Sequence, residues 1–246
     1  MKYFRGDLSP PHGFFTRQGG VSTGPFASLN CSLSGADDPA NVRHNRSLVA
    51  AQFNIAPECL LGLRQVHGAE VVTVTAPRTV GAGPAADAMV TSTAGVALGI
   101  ITADCAPVLF ADETRRIVGA AHAGWRGALA GVLEATAEAM RALGAQTIRA
   151  VIGPCIRQPS YEVSADLRDP VLSRDPGDAR FFTAGRPERW HFDLPGYCAA
   201  RLQAAGIAPE ILPQDTCAEE QNFFSHRRRT LRGEGAIGHQ ISVICA

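Results

Sequence analysis

Lysine is almost missing, with Lys2 the single one among 246 residues. A P-loop needs a lysine on the phosphates and a pyridoxal enzyme needs one for its Schiff base, so both chemistries are set aside. Neither sign of charge is in excess, because Lys+Arg and Asp+Glu both number 23. No global basic field then favours a nucleic-acid partner, and no acidic surplus favours disorder. The seven cysteines contain no CxxC spacing and cannot all pair, which predicts reduced thiols in a cytoplasmic protein. Long apolar runs are missing too. Ser9, Pro10, Pro11 and His12 interrupt any signal-like segment, and the run from Ala94 to Ala103 is too short to cross a bilayer. Neither secretion nor a membrane partner is expected.

A hydrophobic content of 46% and a charged content of 19% over 246 residues suit one large domain, residues 1–246, with a substantial core. Its organising stretch is 101–127, ITADCAPVLFADETRRIVGAAHAGWRG. Two apolar, partly β-branched runs, Pro107 to Phe110 and Ile117 to Ala121, flank a polar segment and predict a hairpin. With the tip between Glu113 and Thr114, Phe110 pairs with Ile117 and Cys105 lies opposite His122. Directly opposed side chains have Cβ atoms roughly 4.5 to 5.5 Å apart, within reach of a shared metal ion. Thiolate and imidazole suit zinc, and copper accepts them as well. A third ligand must come from elsewhere, and a catalytic site leaves the fourth position to water. His67 in QVHG is the candidate, because Gly68 beside it allows close approach.

The remaining chain reads as support. Phe14 to Asn30 is a strand followed by a Gly- and Ser-rich surface loop, in which Arg17 beside Gly19 and Gly20 is also an anion candidate. Asp37, Asp38 and Pro39 start a covering helix, with His44 and Arg46 expected on its solvated face. GAGPAA at 81–86 matches a dinucleotide fingerprint in form only, since no amphipathic helix follows. Asp87 leads a carboxylate into an apolar strand and is either a turn cap or an acid/base group.

One helix is predicted from Arg126 to Gly144, with Arg126 and the positive end of its dipole turned toward His122, a setting that favours phosphate. Thr147 to Ile152 reads as a strand before Cys155, which is either a reactive thiol or a small buried residue. Residues 157–193 read as weakly structured and without chemistry. Leu194 to Gly206 reads as a helix, Glu210 to Cys217 as a strand, and the terminal ISVICA as another. In FFSHRRR the aromatics Phe223 and Phe224 are expected to be buried in a surface turn, with Ser225 and Arg227 as candidates to face a polar ligand.

TRQGGVS, QVHG, DAMVT, TADCAPVLF, HAGWRG, GPC and FFSHRR, in this order, resemble the YfiH family, which includes the human laccase-domain protein. The resemblance runs from about Phe14 to Ile244 and implies a single α/β domain with mixed β-sheets packed between helical layers. It also implies metal ligands at His67, Cys105 and His122, the same three residues reached from the chain itself. Members are described as zinc-dependent purine nucleoside phosphorylases that also deaminate adenosine and cleave methylthioadenosine, as copper polyphenol oxidases, or as peptidoglycan editing factors.

The seven histidines include no His-x-His pair, which argues against a multicopper cluster. The reading adopted is a cytoplasmic zinc enzyme that takes a purine nucleoside and phosphate, with no protein partner inferred. Arg17 and Arg126 are the phosphate candidates, Asp87 and Asp104 the acid/base or ribose-binding candidates, Asp104 equally for orienting a ligand histidine, and Cys155 a further candidate for proton transfer. Alternatives are a copper redox protein, a structural zinc domain and a cell-wall precursor amidase.

Overall fold

The computed structural model describes residues 1–77, 81 and 83–246. Two mixed sheets are stacked face to face. The first runs β1 (Tyr3–Phe4), β2 (His12–Phe15), β14 (Gln240–Cys245), β6 (Ala97–Thr102) and β3 (Leu60–Leu61), with only the β3–β6 pair parallel. The second runs β13 (Pro209–Ile211), β9 (Arg149–Ile152), β7 (Ala106–Asp112), β8 (Ile117–Ala123), β5 (Ala88–Thr91) and β4 (Val71–Thr73). Its two edge pairs are parallel and its inner pairs antiparallel.

Strand alternation sorts the side chains into three cores. Phe14, Leu98, Ile100 and Ile244 of the first sheet meet Met89, Leu109, Val118 and Val151 of the second. Phe15, Ile241 and Val243 turn the other way, toward Val49 and Ala50 of α1 (Pro39–Ala51). Val90, Val108, Phe110 and Ile152 face α3 (Val132–Ala142) and α5 (Leu194–Ala204). The order is helix, sheet, sheet, helix, which explains why β5, β7, β8 and β14 are buried at every residue.

The hairpin exists, with a register that differs from the expected one. Phe110 pairs with Gly119 and Asp112 with Ile117. The Asp112 carboxylate accepts from the N–H groups of Thr114 and Arg115 and from the Thr114 hydroxyl, which builds a four-residue loop where a tighter tip was expected. Pro107, and not Cys105, is the cross-strand partner of His122. A shift of two residues keeps each side chain on its face, so Cys105 and His122 still point the same way.

The single helix expected from Arg126 to Gly144 is two. Gly131, at φ +96°, ends α2 (Trp125–Ala130) and starts α3. Arg46 is 4% exposed and not on a solvated face, its guanidinium donating to the Leu60 and Cys31 carbonyls. Residues 157–193 are ordered: a third sheet, β10 (Glu162–Val163), β12 (Trp190–Phe192) and β11 (Phe182–Ala184), and α4 (Ala165–Arg174) extend the α5-side core. The strand expected over Glu210 to Cys217 is confined to β13. The FFSHRRR stretch leads into α6 (His226–Arg232), with Phe223 and Phe224 buried as expected. The GAGPAA stretch includes Ala82, which lies outside the described residues; Asp87 and β5 follow it, and not a helix. Among the described residues no helix is long and apolar enough to cross a membrane.

Candidate metal centre

The chain leaves the first sheet at Thr102 and enters the second at Ala106. The crossover Ala103–Cys105 therefore lies at the open end of the space between the sheets. Asp104 within it adopts φ +99°, a left-handed conformation unusual outside glycine. Its carboxylate accepts from the Thr216 and Ser225 hydroxyls at 2.7 and 3.0 Å and from the Arg227 N–H at 2.6 Å. Those bonds hold the turn and tie it to α6. Burial raises the Asp104 pKa against the opposing pull of these donors.

His67 reaches the same end from the other side. Gln65 acts as a substitute strand, its amide donating to the Ile101 carbonyl at 2.8 Å and accepting from the Ile101 N–H at 3.0 Å. The chain then turns at His67, φ +61°, around the Asp87 carboxylate. Asp87 is fully buried and accepts from the successive N–H groups of Val66, His67 and Gly68 at 3.1, 2.9 and 2.7 Å. It also accepts from His122 Nδ1 at 2.8 Å. Burial alone would raise its pKa, but the bonds from His122 and Gly68 outweigh it and hold the carboxylate below its usual range. All its strong acceptor positions are used, so Asp87 orients His122 and the His67 turn. Asp104 touches no histidine ring in this way, so the orienting role expected of it falls to Asp87.

One ligand atom from each of His67, Cys105 and His122 lies within 4.8 Å of the others. Cys105 Sγ is 4.0 Å from His67 Nε2, and the two imidazole rings meet edge to face at 4.7 Å. With His122 Nδ1 donating to Asp87, Nε2 is the ring nitrogen left to bind an ion once it gives up its proton. Zinc bonds of about 2.0 to 2.3 Å in a tetrahedron require ligand atoms roughly 3.3 to 3.8 Å apart, so contraction by at most about 1.5 Å completes the fit. The donor set suits a metal ion.

The glycines of HAGWRG make room for it. A Cβ on Gly124 would stand 2.9 Å from Cys105 Sγ and 3.1 Å from His67 Cδ2, and one on Gly127 would stand 2.9 Å from the Gly68 carbonyl. Gly124→Ala is expected to reduce metal affinity at least roughly tenfold by displacing two ligands, with thermal stability far less affected; metal titration beside a melting curve checks both. Equal affinity would show that the ligands tolerate the displacement.

Burial pushes the Cys105 thiol up, but His122 and His67 outweigh it and bring it down to about 6. Burial pushes His122 down, and the Cys105 sulfur and Asp87 outweigh it, bringing it up to about 9. Between these limits the metal-free pair is a thiolate beside an imidazolium. A metal ion takes the thiolate as it stands and displaces the His122 proton. Zinc binding should release about one proton per ion between pH 6 and 9 and more below pH 6, with affinity rising as pH rises. Calorimetry in buffers of different ionisation heat measures this directly. Affinity independent of pH across that window would contradict the assigned pair.

The triad lines a cavity of about 470 Å³. Arg126, over the Trp125 ring at 4.5 Å, and Arg227, over the Tyr161 ring at 5.4 Å, line it as well. Among the described residues neither guanidinium has a carboxylate within 4.0 Å. Tyr161, His226, His239 and Gln65 complete the polar wall, and sequence reasoning missed all four. Gln65 had a signal in its place beside Val66-His67. His226 had one too, between Ser225 and Arg227 at the start of α6, whereas Tyr161 and His239 come from distant loops whose convergence only the fold reveals.

Three expected site residues lie elsewhere. Cys155 is fully buried in the α5-side core and its thiol is pushed well up by burial, so it is the small packed residue of the two readings. Arg17 lines a separate cavity. Ser225 donates to Asp104 and caps α6 by accepting from the Arg228 N–H, so it braces the cleft and does not face into it.

A family model described as multi-copper polyphenol oxidoreductase laccase matches residues 11–246. The chain belongs to that family. The purine nucleoside phosphorylase of Deinococcus radiodurans is 40% identical over 90% of this chain and 85% of its own. One from Xylella fastidiosa, bearing the same name, is 39% identical over 94% and 93%. The crystal structure of the Bacillus licheniformis hypothetical protein YfiH superposes with a TM-score of 0.87 at 31% identity, covering 95% of this chain and 91% of that one. A Neisseria meningitidis protein gives 0.86 at 33%, covering 99% and 98%. The YfiH resemblance and the α/β fold of mixed sheets expected from it are borne out. The family description speaks of several coppers, whereas among the described residues of this laccase-family chain the triad is the one grouping of three or more His, Cys, Asp or Glu side chains placed to hold an ion.

Proposed function

We propose that this protein is a zinc-dependent purine nucleoside phosphorylase acting on inosine, adenosine and methylthioadenosine. The carrying observation is a single cavity in which His67, Cys105 and His122 stand beside Arg126 and Arg227, whose guanidinium groups have no carboxylate within 4.0 Å among the described residues. The names of the relatives support the same reading. At about 470 Å³ the cavity is of a size for a nucleoside with phosphate.

In phosphorolysis a phosphate oxygen bonds to ribose C1′ as the bond from C1′ to purine N9 breaks, giving ribose 1-phosphate and the free base. Arg126 and Arg227 hold the phosphate through charge-assisted hydrogen bonds and offset its charge as it approaches the sugar. His67, Cys105 and His122 hold the zinc, which when bound supplies a Lewis acid for a substrate oxygen. Asp87 fixes the His122 tautomer. Asp104, through the Arg227 N–H and Ser225, fixes the start of α6 and with it the Arg227 side of the cleft. Hydrolytic deamination of adenosine is a second activity of the same cavity in this reading.

The test is inosine turnover by metal-quantified protein with and without phosphate, with ammonia release from adenosine followed in parallel. Phosphate-dependent hypoxanthine formation that tracks zinc content is expected. Fully zinc-loaded protein that consumes neither nucleoside would sink the proposal, and oxygen uptake with phenols by copper-loaded protein would favour a redox function.

A further inference from the structure

We infer that a second cavity, lined by Arg17, Arg228 and Arg229, binds the phosphate group of a small molecule at a site separate from the metal cleft. This cavity measures about 380 Å³ and shares no lining residue with the cleft. One short helix serves both: His226 and Arg227 of α6 face the metal side, while Arg228 and Arg229 face the second cavity. Arg17 comes from the TRQGG segment, which the metal centre does not use.

The arginines carry more charge and more donors than their surroundings satisfy. Arg17 lies over the Phe224 ring at 4.4 Å, donates from Nε to the Ala27 carbonyl at 2.8 Å, and makes only a long 3.4 Å contact from Nη1 to the Glu220 main-chain oxygen. Among the described residues no carboxylate lies within 4.0 Å of its guanidinium. Arg229 donates from Nη1 to the Gly235 carbonyl at 2.8 Å, while its buried Nε has no partner. Arg228 spends its Nη donors on the carbonyls of Thr216, Cys217 and Phe223 and has its Nε 3.8 Å from a Glu220 carboxylate oxygen, so it has neither spare donors nor unpaired charge to offer.

Two acids also line the cavity, Glu220 and Glu234, and Arg232 engages them at 2.6 and 3.7 Å. Arg232 and Arg228 together offset these two carboxylates, which leaves the Arg17 and Arg229 guanidinium groups, among the described residues, without a carboxylate within 4.0 Å. Each guanidinium has five N–H donors in a planar fork matched to phosphate oxygens. Two such forks with spare donors, held by an aromatic face and a carbonyl, define an anion site of small-molecule size. The ligand is inorganic phosphate or a sugar phosphate, which share the recognised group. This inference does not depend on the phosphorylase reading.

Calorimetric titration of the metal-loaded protein with inorganic phosphate, and separately with ribose 5-phosphate, tests it. Arg17→Gln and Arg229→Gln should each weaken at least tenfold a binding event that Arg126→Gln leaves in place. Arg229→Lys, which keeps the charge and loses the fork, should recover part of it. The tighter of the two probes identifies the source of the phosphate, and either answer upholds the site. Because Arg17 also braces the Ala27 carbonyl, Arg229→Gln is the decisive variant if Arg17→Gln lowers the melting temperature. Binding that is unchanged in Arg229→Gln, or that vanishes altogether in Arg126→Gln, would overturn the inference. Loss of nucleoside turnover with this event intact would strike the phosphorylase reading alone.

Discussion

Cys105→Ser is expected to lose metal and nucleoside turnover together, by more than the roughly 100-fold that outer-shell changes reach, while remaining folded. The hydroxyl is nearly isosteric with the thiol but stays protonated at neutral pH, so the single anionic ligand of the triad disappears. What is left is two neutral imidazoles, one of them on an exposed turn. The fold does not depend on the ion in the same way, because Cys105 and His122 are placed by strands buried on both faces and His67 by the Asp87 carboxylate. Metal content, turnover and melting temperature measured on one preparation decide the matter. Unfolding of Cys105→Ser, or of wild type on chelation, would mean that the ion staples the fold.

Asp87→Ala should be more damaging to the molecule although it removes no ligand. Three consecutive N–H groups and His122 Nδ1 would lose their acceptor in a fully buried position. Each unsatisfied buried donor costs about 1 to 3 kcal/mol, and partial relaxation leaves a net loss on the order of 4 kcal/mol. Metal affinity should fall roughly 10 to 100-fold as His122 loses its orientation. Asp87→Asn separates the two effects: one amide oxygen can still accept from the turn, so much of the stability returns, while the metal deficit persists because the amide no longer provides a carboxylate to His122. Chemical denaturation with metal titration reads both. An Asp87→Ala protein as stable as wild type would show that water satisfies the turn.

The triad was legible in the sequence because His122 lies on one arm of a hairpin and Cys105 immediately precedes the other, close enough for strand alternation to bring the two together. The register was not, since Asp112 builds its loop from hydrogen bonds that apolar patterning does not encode. Arg46 deceived for a related reason: helical position suggests solvent, while the Leu60 and Cys31 carbonyls that receive its guanidinium belong to other segments. Gly131 could have been read as a break, because it alone supplies the positive φ that separates α2 from α3. In residues 157–193 the strands are two or three residues long and Pro170 lies inside α4, so neither period develops, and Tyr161 escaped notice with them. Asp87 reads as a turn cap or an acid, and its carboxylate accepts from three successive N–H groups of the turn that carries His67.

The position of β14 has a consequence for synthesis. Gln240–Cys245 lies between β2 and β6, with Ile244 paired to His12 on one side and Leu98 on the other. Of the strands described, the one translated after all the others thus fills the middle of the first sheet. Until it arrives, β2 and β6 have no common neighbour and the apolar faces of both remain open. A nascent chain must therefore carry its hairpin, with Cys105 and His122 already translated, until Gln240–Cys245 follow and the wall opposite them can close. Such long-range pairing folds slowly and leaves exposed strand edges for chaperones to cover.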